Sequence, residues 1–365
     1  MYDVIVVGAG PAGSTAARKC AASGLKTLVL EKQRLPRDKV CSGMIMGPLA
    51  HTLIEQEFGK IPEDVLSRPR QLSGYCLRVP GIGMENLDNF TLLTWRRTLD
   101  HWMSQRAQDC GADIWQGAEV VGIKERNDGF TIAVDRDKKR EELETNCLIG
   151  ADGATSVVRR SLFPELDVKY GQAYQEHYRG ELDLDKDYIH WFYPIELCPA
   201  IFTVHQKDDL IVLDAAGRPG RTKPIMAWAR EYLRQNHRLD VNLEPVWKGS
   251  CLEPALFREL TSHTFSPAKG NALLIGDAAG LLMPVSGEGM GLGMKSAVLA
   301  AQAILGAASK GQRPDEAYLS DMRGIISAFS EIYPWFRKIL DEAGSGGHSL
   351  PKILKDAYKS TLRVL

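Results

Sequence analysis

The chain of 365 residues has no surplus of charge. Its 45 lysines and arginines stand against 46 aspartates and glutamates, a formal net charge of −1. That balance gives no electrostatic reason to expect a nucleic acid partner. Seven cysteines, an odd number without disulfide-framework spacing, read as reduced thiols. No paired Cys or His spacing suggests zinc, and no metal site is expected. No apolar stretch reads as long enough to span a bilayer. A strand-like run begins at Tyr2, so no cleaved leader is expected. Tandem repeats and low-complexity segments are missing as well. The expectation is a soluble cytoplasmic chain, and its length implies two interlocked lobes rather than one core.

What is present begins at once. Tyr2-Asp-Val-Ile-Val-Val7 has the length and β-branched character of a buried parallel strand. Gly8-Ala-Gly-Pro-Ala-Gly13 follows, then a helix-like run from Ser14 to Ser23, a stop at Gly24, and a second strand from Lys26 to Leu30 that ends on Glu31. Gly8 permits the tight turn, Gly10 lets the backbone approach a pyrophosphate, and Gly13 lets helix and strand pack closely. The helix start offers unpaired N–H groups to a phosphate. Glu31 can accept both ribose hydroxyls, and its charge repels a 2′-phosphate. An isolated glycine fingerprint is also what an ordinary βα turn looks like. This one has the strand before it, the helix after it and the acid at the required distance.

Two later segments select FAD over NAD. The first, Leu148-Ile-Gly-Ala-Asp-Gly-Ala-Thr-Ser-Val-Val-Arg-Arg160, is an apolar strand, a turn carrying Asp152, and a helix start containing Ser156. The second runs from Asn271 through Gly276-Asp277 to Gly280, then Pro284-Val-Ser-Gly-Glu-Gly-Met-Gly291 and a helix. A strand there delivers Asp277 to its carboxyl end, where ligands bind in open α/β sheets, and Asp277 can accept a hydrogen bond from a ribityl hydroxyl. The helix that follows would turn its positive end to the flavin N1–C2=O edge.

These three segments resemble the glycine fingerprint, the DG motif and the GD motif of FAD-dependent oxidoreductases of the aromatic-hydroxylase type, in a spacing kept up to about residue 310. Within that superfamily the sequence most resembles the geranylgeranyl reductase family. Lys39-Val-Cys-Ser-Gly43 is similar to that family's Cys-Gly loop, Arg96-Arg-Thr-Leu-Asp100 to its Arg-x-x-Phe/Leu-Asp helix start, and Trp191-Phe-Tyr-Pro194 to the end of its Tyr-x-Trp-x-Phe-Pro substrate motif. The resemblance implies FAD contacts at Ala12, Glu31, Cys41, Ser42, Arg96, Val120, Asp277, Gly289 and Met290, beside Gly8, Gly10, Gly13 and Asp152. It implies substrate contacts at Trp191 and Tyr193. The departures fall on the substrate motif: Ile189 replaces its first aromatic with Tyr188 one place early, Tyr193 stands where Phe is usual, and the stretch after Pro194 lacks the family's glycines.

The fold class that follows is α/β: a Rossmann-type FAD-binding domain with a three-layer ββα architecture, discontinuous over 1–70, 90–165 and 265–310, an interlocked antiparallel-sheet substrate domain (71–89 and 166–264) and a helical carboxy-terminal segment (311–365). Phe90 to Leu93 reads as a strand. Glu119–Arg126, Phe130–Asp135 and Glu141–Ile149 read as three antiparallel strands joined by turns at Asn127-Asp-Gly129 and Asp135–Lys139. Tyr174–Leu182, Tyr188–Tyr193, Ala200–His205 and Leu210–Asp214 read as strands of a roof over the flavin. Helices are expected over Pro224–Asn236, Pro314–Leu340 and Pro351–Leu365. The last is basic and amphipathic, and serves either as a docked tail or as a peripheral membrane contact.

Cys41 has two readings, a thiol that meets the substrate and a small residue chosen to fit the ring. Trp191 and Tyr193 line an apolar pocket or belong to the roof's core. His177, His190 and His205 fall in strands of the roof, where one could face the cavity, but a strand histidine is more often structural; Arg159 and Arg160 either reach the FAD phosphate or, more commonly, form a solvated helix end. No residue announces itself as a catalytic acid. The leading expectation is a reductase in which reduced FAD gives a hydride to a carbon–carbon double bond of an isoprenoid or other apolar substrate. The electrons come from NAD(P)H, for which no second fingerprint exists, or from a protein donor. The alternative is a monooxygenase, or less readily a halogenase, in which reduced FAD reacts with O₂ at C4a to modify an aromatic substrate. Ile189, where a halogenase would carry a second tryptophan, speaks against the halogenase.

Overall fold

The computed structural model describes residues 1–240 and 244–364. Its first sheet runs in the order Ala268–Lys269, Ala272–Leu274, Lys139–Gly150, Tyr2–Val7, Thr27–Glu31, Asp113–Gln116. Tyr2–Val7 pairs parallel with Thr27–Glu31 on one side and Lys139–Gly150 on the other. Every residue of Thr27–Glu31 is buried, the pattern of a strand covered on both faces. The long strand Lys139–Gly150 is the hinge between layers. Its carboxyl half joins the parallel sheet, while its amino half pairs antiparallel with Gly129–Arg136, which pairs in turn with Ala118–Arg126. The parallel register brings the carboxyl ends at Val7, Glu31, Gly150 and Leu274 to one edge, each beside a turn that opens toward a ligand.

The second sheet is ordered Trp247–Ala255, Lys169–Arg179, Leu210–Gly217, Ile201–Lys207, Tyr188–Phe192, Leu66–Val79, Gly83–Thr94, Met44–Ile45. It is antiparallel except where Tyr188–Phe192 runs parallel to Leu66–Val79. Alternation decides its faces. Phe202, Val204, Ile211, Leu213 and Tyr178 point outward and bury Ile225, Met226, Ala229 and Leu233 of the helix Thr222–His237. Their neighbours Thr203, His205, Asp214, Gln175 and His177 therefore point the other way, toward the first lobe.

Several expectations change. The residues read as a short strand at Phe90–Leu93 are the end of Gly83–Thr94, which pairs along its length with Leu66–Val79 in the second sheet. Trp247–Ala255 is an edge strand that the sequence reading left out. The helix expected over Pro314–Leu340 is two, Asp315–Asp321 and Arg323–Gly344, the second carrying Pro334 inside it. Met290–Lys310 is long and apolar enough by length and composition to cross a membrane, contrary to the reading of the sequence, but 72% of its apolar window is buried inside the protein. It is the core helix against which Pro11–Ala22 packs. The final helix, Leu350–Val364, buries Ile353, Leu354, Ala357 and Tyr358, and Leu365 lies outside the described residues. Tyr358 packs on Tyr75 of the second sheet, and Lys355 Nζ sits 2.7 Å from Glu85. The apolar face offered above to a membrane is thus turned into the protein, because the Leu66–Val79/Gly83–Thr94 hairpin covers it.

Candidate active site

Between the two sheets lies a cavity of about 1280 Å³. Every residue expected to contact the cofactor lines it except Gly13, which sits beneath the turn. The glycines have separate physical roles. A Cβ on Gly13 would come within 1.9 Å of Gly8 O, and one on Gly8, whose φ is +102°, within 2.4 Å of Ala151 O. Only glycine fits either place. Gly10 differs: the nearest atoms to its Cβ position are the Nη2 atoms of Arg37 and Arg96, both 3.9 Å away. The backbone there is bare toward the cavity, faced by two guanidinium groups, at the amino terminus of Pro11–Ala22. Donors, positive charge and clearance coincide where a pyrophosphate would lie.

Glu31 is buried and oriented by its own lobe. Its Oε2 accepts from Ala9 N at 2.9 Å and its Oε1 from Gln33 N at 2.9 Å. Arg37, which the sequence reading missed, lies 3.5 Å from Glu31 and 3.2 Å from Asp100. Arg96 makes a two-pronged contact with the same wholly buried Asp100, at 2.7 and 2.9 Å. Burial disfavours the Arg96 charge, but Asp100 and the neighbouring Cys41 more than offset it, so its pKa is held above the ordinary value. The signal for Arg37 was its place in the loop after the ribose acid. Without the fold, nothing distinguished it from Arg34.

The DG and GD segments meet through a residue read above as solvated. Arg159 is 1% exposed. Its guanidinium donates to the carbonyls of Asp277 and Ala278 at 3.2 and 2.8 Å, to Ala154 O, and to Tyr170 Oη at 3.1 Å. It points inward because Val157–Leu162 packs against the GD turn. Arg160, one position on, is exposed and bonded to Thr155 O. Asp152 lines the cavity, yet its carboxylate caps the helix, accepting from Ser156 Oγ at 2.5 Å and Val157 N at 2.6 Å. Ser156 in turn accepts from Arg159 N. Burial raises the Asp152 pKa. A Cβ on Gly289 would lie 3.3 Å from Asp277 Oδ1, so the GD carboxylate and the start of Met290–Lys310 face the same space. Ala12 Cβ packs by two glycines of these segments, 3.3 Å from where a Cβ on Gly276 would stand and 3.4 Å from where one on Gly293 would. Glu288, also missed, is buried there with its pKa pushed up by burial to about 7. Its Oε1 accepts from Gly291 N at 2.7 Å, while its Oε2 has no partner among the described residues. Val120 closes the side of the cavity from Ala118–Arg126.

The Cys41–Ser42 loop is held from above. Lys207, wholly buried, donates from Nζ to Ser42 O and lies 4.1 Å from the centre of the Trp95 ring. Gly43, at φ +73°, leaves room for that ammonium: a Cβ would stand 2.6 Å from it and 1.8 Å from Thr94 O. Burial lowers the Lys207 pKa to about 8. Of the two aromatics expected to meet substrate, Trp191 lines the cavity with its Nε1 unpartnered among the described residues. Tyr193 does not line it, because its hydroxyl is bonded at 2.9 Å to Tyr358 in the core beneath the last helix. His190 lies buried away from the cavity, bonded to Arg78 and to Asp185 O.

The cradle, the paired guanidinium groups and the unpartnered buried polar atoms fit FAD. A family model for an FAD-binding domain matches residues 1–177. The chain is 26% identical to a chloroplastic geranylgeranyl diphosphate reductase of Oryza sativa subsp. japonica, an alignment covering 93% of this chain and 73% of that relative. Among solved structures, a geranylgeranyl bacteriochlorophyll reductase-like protein of Thermoplasma acidophilum superposes with a TM-score of 0.81 at 18% identity, over 100% of this chain and 95% of the other. The anhydrotetracycline hydroxylase OxyS of Streptomyces rimosus gives 0.71 at 21% identity, over 100% and 75%. These two likenesses are of fold. The protein carries an FAD-binding domain and is an FAD-dependent oxidoreductase, similar in sequence to a geranylgeranyl diphosphate reductase and similar in fold to the hydroxylase OxyS.

Proposed function

We propose that the protein reduces carbon–carbon double bonds of an isoprenoid or comparably apolar chain. The observation that carries this is the composition of the cavity beyond the dinucleotide cradle. Under the roof it is walled by Trp191, Ile201, Ala173 and Ala216, and beside the GD turn by Met283 and Val285. These side chains give an apolar chain a surface to lie against. The relationship to a geranylgeranyl diphosphate reductase supports the same reading. Reduced FAD supplies the hydride when bound. The chain's own residues do the rest: Arg37 and Arg96 hold the phosphates, Glu31 the ribose and Asp277 the ribityl chain, while Lys207 fixes the Cys41 loop. Electrons arrive from NAD(P)H or a protein donor, since one glycine fingerprint serves one dinucleotide.

The test is to reduce the FAD-loaded protein with dithionite under anaerobic conditions and mix it with geranylgeranyl diphosphate. Flavin reoxidation should accompany a product heavier by two hydrogens per reduced bond. The hydroxylase fold likeness favours a second reading, oxygen transfer to an aromatic compound. Unchanged prenyl substrate, together with oxygen uptake coupled to a hydroxylated product, would replace the first reading with the second.

A further inference from the structure

An apolar roof has no use for an ionisable group, yet this one carries a carboxyl at its centre. The register sets Trp191, Thr203, Asp214, Gln175 and Gly249 side by side across five strands on the inner face. Asp214 and Thr203 both line the cavity, between the apolar row Ile201, Ala216, Ala173 and the buried row His205, Val212, His177. A carboxyl in such a place is costly unless hydrogen-bonded. Gln175 Nε2 donates to Asp214 Oδ1 at 2.5 Å, and Thr203 Oγ1 is 3.2 Å from Oδ2.

The group is also oriented. Gln175 Oε1 lies 2.9 Å from His177 Nε2. His177 is stacked on Trp247 at 4.5 Å and lies 5.1 Å from Trp95, and burial lowers its pKa to about 4. A neutral imidazole whose Nε2 carries the proton donates to Gln175 Oε1, which turns the amide N–H toward Asp214. Oδ1 is thereby an acceptor, and any proton on Asp214 resides on Oδ2, beside Thr203 and the cavity. The charged groups that act on it are Lys207 on its neighbour strand and Glu253 on Trp247–Ala255; the other titratable groups on the same inner face are His205, His177 and Cys251, and Cys41 lines the same cavity from the loop. Burial raises the Asp214 pKa to about 6 against the lowering pull of Gln175, Thr203 and Lys207. An apolar chain that displaces water from the cavity raises it further.

We propose that Asp214 is the proton donor of the reduction, with Gln175 and His177 as positioning residues. This rests on the alkene-reductase reading. One alkene carbon takes a hydride, with both electrons, from the reduced cofactor. The neighbouring carbon takes the proton from Asp214 Oδ2, directly or by way of the Thr203 hydroxyl. The O–H bond breaks, the C–H bond forms, and the carboxylate left behind is reprotonated from solvent as product leaves.

The test uses the FAD-loaded protein reduced with dithionite, with geranylgeranyl diphosphate as probe, and the apoprotein by infrared spectroscopy. Asp214→Asn should bind FAD as the wild type does, and its reoxidation by the alkene should be about 10²–10⁴-fold slower, the usual general-acid contribution. In wild type, kcat/KM should fall about tenfold per pH unit above a pKa near 6, a limb that Asp214→Asn removes. In the apoprotein, the carboxyl band absent from Asp214→Asn should titrate near 6 and move up when geranylgeraniol fills the cavity. Equal rates in the two proteins, or a carboxyl band that titrates in the ordinary aspartate range and ignores geranylgeraniol, would overturn the proposal while leaving the reductase reading intact. A wild type that holds FAD and reduces no alkene overturns the reductase reading and the donor's role with it. The pH limb is read on wild type alone, so misfolding of the variant would not hide the answer.

Discussion

The two walls of the cavity are built by different means. The floor is made of backbone: Gly8, Gly10 and Gly13 clear a path, helix starts present N–H groups, and carboxylates such as Glu31 and Asp152 are themselves held by backbone amides. The roof is made of side chains that neighbour one another only through strand register, such as Thr203, Asp214 and Gln175. The floor recognises a cofactor of fixed shape and tolerates little change. The roof sets what lies above the cofactor, and it can change residue by residue without loss of fold.

The largest expected effect comes from Gly13→Ala, whose Cβ would meet Gly8 O at 1.9 Å. Neither atom can retreat, so the turn must break and the protein should be isolated without flavin and with a lowered Tm. Gly10→Val sharpens the contrast. Its side chain meets no backbone, only guanidinium groups 3.9 Å from the Cβ position, so fold and Tm should survive while FAD binding is lost. A fully loaded Gly10→Val protein would show that the phosphates do not lie there. Arg159→Met should come next. It strips the carbonyls of Asp277, Ala278 and Ala154 of a buried charged donor, and hydrogen bonds to charged groups are worth about 1.5–3 kcal/mol each before compensation. Denaturant unfolding should show a loss of at least about 3 kcal/mol on that scale, and an unchanged midpoint would contradict the clamp. Asp277→Ala acts on the ligand instead, weakening FAD by about 1–3 kcal/mol in a fluorescence titration with little change in Tm. The smallest effect belongs to the roof's rear: Tyr358→Phe deletes one hydroxyl pair with Tyr193. It should cost about 1 kcal/mol of stability and leave FAD affinity as it was. If it altered flavin binding instead, the last helix would have to reach the floor.

The floor was legible because its instructions are local. A strand, three glycines, a helix and an acid at one spacing determine a turn whatever surrounds it, and the Asp152 and Asp277 segments carry their own strand and turn. The sequence likewise determined the three-strand layer from Ala118 to Gly150, since short hairpins fix their own register. What only the tertiary structure decided lies where distant segments meet. Arg159 is a clamp rather than a solvated helix end because the GD turn packs on its helix. Tyr193 belongs to the core because a helix 165 residues later brings Tyr358 to it. Arg37 and Glu288 gain a role from neighbours that no local pattern names. The Trp191–Thr203–Asp214–Gln175 row exists because four strands align. A shift of one residue in any strand would turn its member of the row to the outer face, and pairing across so many strands is settled by the packing of the whole sheet.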